Sequence, residues 1–352
     1  MTSTGVSETA TGAASIGKYF VAVSLVPSTV LTAYLSLLVK STRHSGVEFV
    51  AAVRSLDLRD AAIFGIASLL LALAFHPLQY ALVQLFEGYW GTSRLAVRLA
   101  VVAIGRHRTK RGQLDDEWRR GAVRRDDAIG PVFMGQEARR LLNGYPNDPG
   151  RVLPTRLGNV LRHYEGLAGA AYGIESISSA PRIAMVAEER ELNYLENQRI
   201  QLELAVRASF LSLVACAATV ILMWRHGSWM LLAIVPYTVA YLSYRGAIVI
   251  AHEYGAALAT LIDLNRFKLY DRLHLPPPRN LAEERQRNET LMELFRLDDM
   301  EMAARTEASL DYATPTTGSA ATPDPSPAEA TVPAGRATGE TVEREGAGDG
   351  AA

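Results

Sequence analysis

The sequence predicts an all-α integral membrane protein with two transmembrane helical hairpins, a cytosolic helical region between them and a disordered C-terminal tail. Three observations carry this prediction. Long stretches without Asp, Glu, Lys or Arg alternate with arginine-rich segments. Four apolar stretches, the fourth interrupted by Arg245, fall within the length range of a membrane-crossing helix. From Leu310 onward, Thr, Ala, Pro, Gly and Glu dominate and large apolar residues nearly vanish, so no core can form there.

Residues 1–18 read as a disordered N-terminus. Span one is Tyr19 to Val39, uncharged between Lys18 and Lys40. Its length exceeds that of a signal-peptide core, so it is expected to be retained. Residues 40–60 form an extracytoplasmic connection, and span two covers 61–86 with Pro77 bending it. Span three, 208–224, is bracketed by Arg207 and Arg225; the short turn after it leads directly into span four, 229–250. So short a turn makes spans three and four antiparallel, with Trp224 and Trp229 at an interface. Arginines crowd the segment after span two, which assigns the long middle segment and both termini to the cytosol. Lys40, Arg43, Arg54 and Arg59 in the first connection pull the other way.

The middle segment, 87–207, begins with Leu95, Leu99 and Val102 at helical spacing and Arg94 and Arg98 on another face. This fits either a helix at the bilayer surface or an extension of the span. The run NGYPNDPGRVLP, 143–154, interrupts it with turn formers. Pro181 suits a first helical turn, and Arg182 to Arg207 reads as a charged stalk entering span three. Leu192, Leu195, Leu202, Val206 and Ser209 form its seam, with Arg199 at one seam position. That seam suits a short coiled coil or packing against the chain's own helices. Residues 251–309 read as cytosolic helices, stopped at Pro276–Pro278 and restarted by Asn280 and Glu283 as a capping pair. Residues 310–352 are the acidic tail.

Four segments carry a resemblance: HPLQYALVQLFEGYWG (76–91), LPTRLGNVLRHYEG (153–166), the YGI and PRI pieces at Tyr172 and Pro181, and YRGAIVIAHEYG through DLNRFKLYDRLHLPPP. Together they resemble a group of multi-pass bacterial membrane proteins, mainly actinobacterial, with no assigned activity. The resemblance spans most of 61–290 and implies one integrated architecture but no catalytic residues. Where that group has Trp-Pro-Arg, this chain has Ala180, Pro181 and Arg182.

Local chemistry is sparse. His252 and Glu253 open like a zinc-protease helix, but its second histidine would fall at Ala256. His163 and Glu165 point to different helix faces. No GxxxxGK loop occurs, and the single Cys216 excludes an intrachain disulfide. No catalytic, metal or cofactor residue is assigned, and no cofactor is expected. His76, Gln79 and Gln84 put polar groups in or near span two, where such groups face protein or water. They are candidates for a pore or proton path, against structural hydrogen bonding beside Pro77. Arg245 falls near the far end of span four and is expected to snorkel to lipid phosphates.

With a net charge of −1 the chain has no global pull on an anionic partner, so recognition needs a local patch. The basic cluster supplies one: Arg106, Arg108, Lys110, Arg111, Arg119 and Arg120, continued by Arg124 and Arg125. Anionic lipid at the cytosolic face is its expected partner. Nucleic acid is not, since interleaved aromatics are limited to Trp118. The leading expectation is a non-enzymatic scaffold or adaptor in the plasma membrane, contacting a second copy or a cytosolic protein. An oligomeric pore and an enzyme whose site forms only in the fold are the alternatives.

Overall fold

In the computed structural model the described residues are 20–42, 53–54, 57–123 and 129–296, and they are helical with no strand among them. The expected disordered N-terminus, most of the first connection, Arg124, Arg125 and the tail lie outside the described residues. A π-helical turn, Phe20–Leu25, leads into α1, Val26–Ser41. Helix α2, Leu58–Phe75, starts at a capping box in which Asp57 and Asp60 exchange side-chain-to-backbone bonds. Lys40 pairs with Asp60, tying the end of α1 to the start of α2 and neutralising one of the charges that opposed the expected orientation.

Pro77 lacks an N–H, and its ring excludes the carbonyl four residues earlier, so the helix breaks at His76–Leu78. The span expected over 61–86 is therefore two helices, α2 and a short α3, Gln79–Glu87. Next come α4, Arg94–Val123, and α5, Ile129–Leu142, which pack on each other. Helices α6, Arg156–Leu167, and α7, Ser176–Ala184, precede the two longest: α8, Glu189–Met223, and α9, Ile234–Arg272. Pro181 lies inside α7, so the expected stalk does not begin there. It begins at Glu189, where Glu188 and Glu191 form a second capping box.

Helices α8 and α9 run antiparallel. Glu188 meets Lys268 at 3.2 Å, the Glu191 carboxylate accepts from Asn265 at 2.7 Å, and Ser209 donates to the Ala240 carbonyl at 2.9 Å. Leu202, Val206 and Ser209 of the seam are buried, and Leu192 and Leu195 are partly buried beside them. The pair divides along its length. Its apolar half, 208–223 with 234–250, carries α1 through Leu31, Leu211 and Ala215, and α2 packs on α1. Its polar half carries α7 and α10, Leu281–Phe295, around Ile183, Ile262, Leu269, Tyr270 and Leu291, while α6 packs nearer the middle through Leu157, Val160 and Ala251. Asn280 caps α10 by accepting from the Glu283 N–H at 2.9 Å. Four helical stretches, within Val23–Ser41, Leu58–Phe75, Glu189–Met223 and Gly227–Arg272, are long and apolar enough to cross a membrane.

Arg207 marks the junction of the two halves. It is fully buried and donates to the carbonyls of Val23 and Phe75, each at 2.9 Å. The Phe75 carbonyl is one of the orphans left where α2 stops. One guanidinium thus closes the end of α2 and anchors the start of α1 to α8.

Candidate functional site

The break at Pro77 turns α3 across the α8–α9 pair. At its start the Gln79 amide nitrogen donates to the Glu203 carbonyl at 3.0 Å, and near its end the Phe86 ring lies 6.0 Å from that of Tyr244. His76, Tyr80, Val83 and Glu87 recur at spacings of three and four and face one way, into a cleft of about 840 Å³. The opposite wall belongs to α8, with Glu196, Arg199 and Glu203 between Leu195, Ile200 and Leu202. Helices α6, α7 and α9 close it with Tyr164, Glu165, Ile177 and Leu258.

Two glycines allow this assembly. A Cβ at Gly158 would lie 2.0 Å from the Glu87 carbonyl oxygen, so only glycine lets α6 meet the end of α3. A Cβ at Gly255 would lie 2.1 Å from the Tyr164 ring, which instead stacks on the bare backbone of α9. Thr155 adds a hydroxyl bond to the same Glu87 carbonyl at 2.9 Å. Leu82, Leu157, Val160 and Ala251 are buried behind these contacts, and burying a leucine contributes about 1.5–3 kcal/mol.

The cleft is rich in hydrogen-bond acceptors. Arg199 sits between Glu203, at 3.0 Å, and Glu196, at 3.6 Å. Glu165 is matched by Arg162 at 3.0 Å. Burial first, and neighbouring Glu165 second, push the Glu87 carboxyl up to about 7 against the pull of Arg162. Glu87 can therefore hold or release a proton near neutrality. Gln79 is only 6% exposed, and its side-chain oxygen meets no donor among the described residues. No group of three or more His, Cys, Asp or Glu side chains gathers for a metal ion among those residues.

Of the residues singled out from sequence, His76 and Gln79 line the cleft, whereas Gln84 lies off its lining. His76 is exposed at the end of α2, where its Nδ1 lies 3.4 Å from the Ser24 hydroxyl. The basic cluster divides by task. Arg108 donates to the Pro149 carbonyl, and Arg111 to those of Pro146 and Asn147, fixing the turn-rich loop to α4. Arg119 pairs with Asp115 at 3.0 Å, while Arg106, Lys110 and Arg120 are exposed. Arg245 is exposed where the two halves of α9 meet.

Sequence reasoning passed over Glu87, Glu196, Arg199 and Glu203 as a group. Glu196, Arg199 and Glu203 at spacings of three and four are an alternating-charge ladder that could have been read as one. Nothing local linked that ladder to Glu87. Compared with known proteins, the chain matches no family model, no curated protein and no solved structure.

Proposed function

We propose that the chain is a non-enzymatic membrane scaffold or adaptor whose two transmembrane hairpins, α1–α2 and α8–α9, hold a cytosolic helical platform against the inner leaflet of the plasma membrane. The observation that carries this reading is the continuity of α8 and α9. Each is a single helix, of 35 and 39 residues, running from the apolar half into the polar half. A platform built on such helices is rigidly coupled to its anchor. Both termini and the platform share the cytosolic side, in keeping with the arginine bias. Arg106, Lys110, Arg120 and Arg245 are exposed to meet anionic lipid. On the platform Met185, Leu264 and Phe267 are exposed apolar residues, which suit a protein contact with a second copy or a cytosolic partner.

Photo-cross-linking in native membranes tests the reading. A photoreactive residue at Met185 or Leu264 should give discrete adducts that the same residue at Ile66 in α2 does not. Absence of any discrete adduct from the platform positions, with a monomeric chain, would overturn it.

A further inference from the structure

The first turns of α4 project past the end of α5. The packing of α4 on α5 and the loop after it runs from His107, 3.1 Å from the Tyr145 hydroxyl, through Leu114 and Ala138 to Gly121 against Gly135. Ahead of His107, Leu95, Val97, Leu99, Val101 and Val102 are all exposed, Leu95 at 69%. Spacings of three and four carry the line of Leu95, Leu99 and Val102 on to Arg106, Lys110, Gln113 and Glu117, so the apolar face ends where the packing begins. Arg94 and Arg98 stand together beside that face, both exposed, and no carboxylate occurs between Arg94 and Leu114.

This segment also starts near the height at which the two halves of α9 meet. Phe86 lies against Tyr244 there, and Gly88, at φ +108°, ends α3. The connection from Gly88 to Ser93 can span at most about 18 Å. Within it the Trp90 indole donates back to the Leu85 carbonyl at 3.0 Å, and Ser93 caps α4 by accepting from the Ala96 N–H at 3.2 Å. The breaks at Pro77 and Gly88 rule out an extension of the span.

We propose that residues 94–105 lie in the plane of the membrane at the headgroup–acyl boundary of an anionic inner leaflet, with Leu95, Leu99 and Val102 in hydrocarbon and Arg94 and Arg98 on lipid phosphates. The proposal deepens the scaffold reading: it rests on the membrane anchors of that reading and not on a platform partner.

The test is fluorescence quenching of the full chain in nanodiscs of phosphatidylcholine and phosphatidylglycerol, one chain per disc. With Cys216→Ala, an NBD label is placed on Leu99→Cys, on Ile66→Cys in α2, or on Glu117→Cys, five turns beyond Leu99 on the same face. Nitroxide lipids labelled near the headgroup should quench the Leu99 label about threefold more than lipids labelled at the chain end, as a helix seated at the boundary requires. The Ile66 label should show the reverse preference, and the Glu117 label should be quenched by neither. Arg94→Glu with Arg98→Glu should cut headgroup-level quenching at Leu99 about twofold in these discs and leave it unchanged in pure phosphatidylcholine. Equal quenching of variant and wild type in the anionic discs would overturn the arginine contact with phosphate. A Leu99 label quenched by neither lipid, one that follows Ile66, or one shielded only when two chains share a disc would overturn the in-plane helix. An unquenched Ile66 label would overturn the anchors as well, whereas loss of every platform cross-link would leave this quenching pattern intact.

Discussion

Arg207 and Arg199 lie two helical turns apart on α8 and serve opposite ends. Arg207 is fully buried, and its guanidinium ties together two carbonyls from separate helices. Arg199 lies at the wall of a cleft, between Glu196 and Glu203. A guanidinium matched by buried backbone carbonyls joins helices, whereas one matched by carboxylates of its own helix lines a cleft wall. Charge alone does not distinguish the two; the identity of the partners does.

The sharpest way to break this contrast is Arg207→Ala. It removes two charge-assisted bonds in a buried place and should cost about 3–5 kcal/mol, read as a large drop in the midpoint of detergent-induced unfolding. Arg207→Lys should recover only part, because a point charge replaces a planar fork.

Gly158→Ala comes next. Its new Cβ overlaps the Glu87 carbonyl and must push α6 from α3, at a cost of about 1–3 kcal/mol in the same unfolding assay.

Glu87→Gln acts through pH. The folded chain holds this carboxyl at about 7 against an ordinary 4.5, so between those values it keeps a proton that the unfolded chain has released. Stability contributed by the neutral form is present at low pH and is lost as pH rises through 7. The variant should therefore match the wild type at pH 4. At pH 8 it should be about 1–2 kcal/mol more stable, a figure discounted for the screening a partly open cleft allows. A constant difference from pH 4 to pH 8 would place Glu87 in a solvated site.

The smallest effect belongs to Arg119→Ala. Its pair with Asp115 is exposed, so stability should move by less than about 0.5 kcal/mol.

Much of the architecture was legible in the sequence, for reasons visible in single residues. The all-helical class and the apolar stretches follow from composition and period, and Asn280 with Pro276–Pro278 marked the start of α10 and the stop before it. The bend at Pro77 was legible; that the bend lays α3 across two other helices was not, because it depends on Gln79 meeting Glu203, 124 residues away. The start of α8 was misread because Pro181 is a stronger local signal than a capping box led by Glu188, a side chain outside the usual cap set. The cleft was hidden for the same reason as α3. Its charges come from three helices, and each looks like an ordinary surface or seam residue within its own segment. Gly158 and Gly255 sit in segments singled out from sequence, but the Glu87 carbonyl and the Tyr164 ring that require them appear only in the fold.

The most direct test of the account is the side of the membrane on which the α8–α9 turn and the platform lie. With Cys216 replaced by alanine, single cysteines at Ser228, Asn147 and Arg279, all exposed positions, can be labelled in intact cells with a membrane-impermeant maleimide. The account predicts that Ser228→Cys reacts in intact cells and that Asn147→Cys and Arg279→Cys react only after permeabilisation. Labelling of all three from the same side would contradict the four-span arrangement and, with it, a cytosolic platform held by α8 and α9.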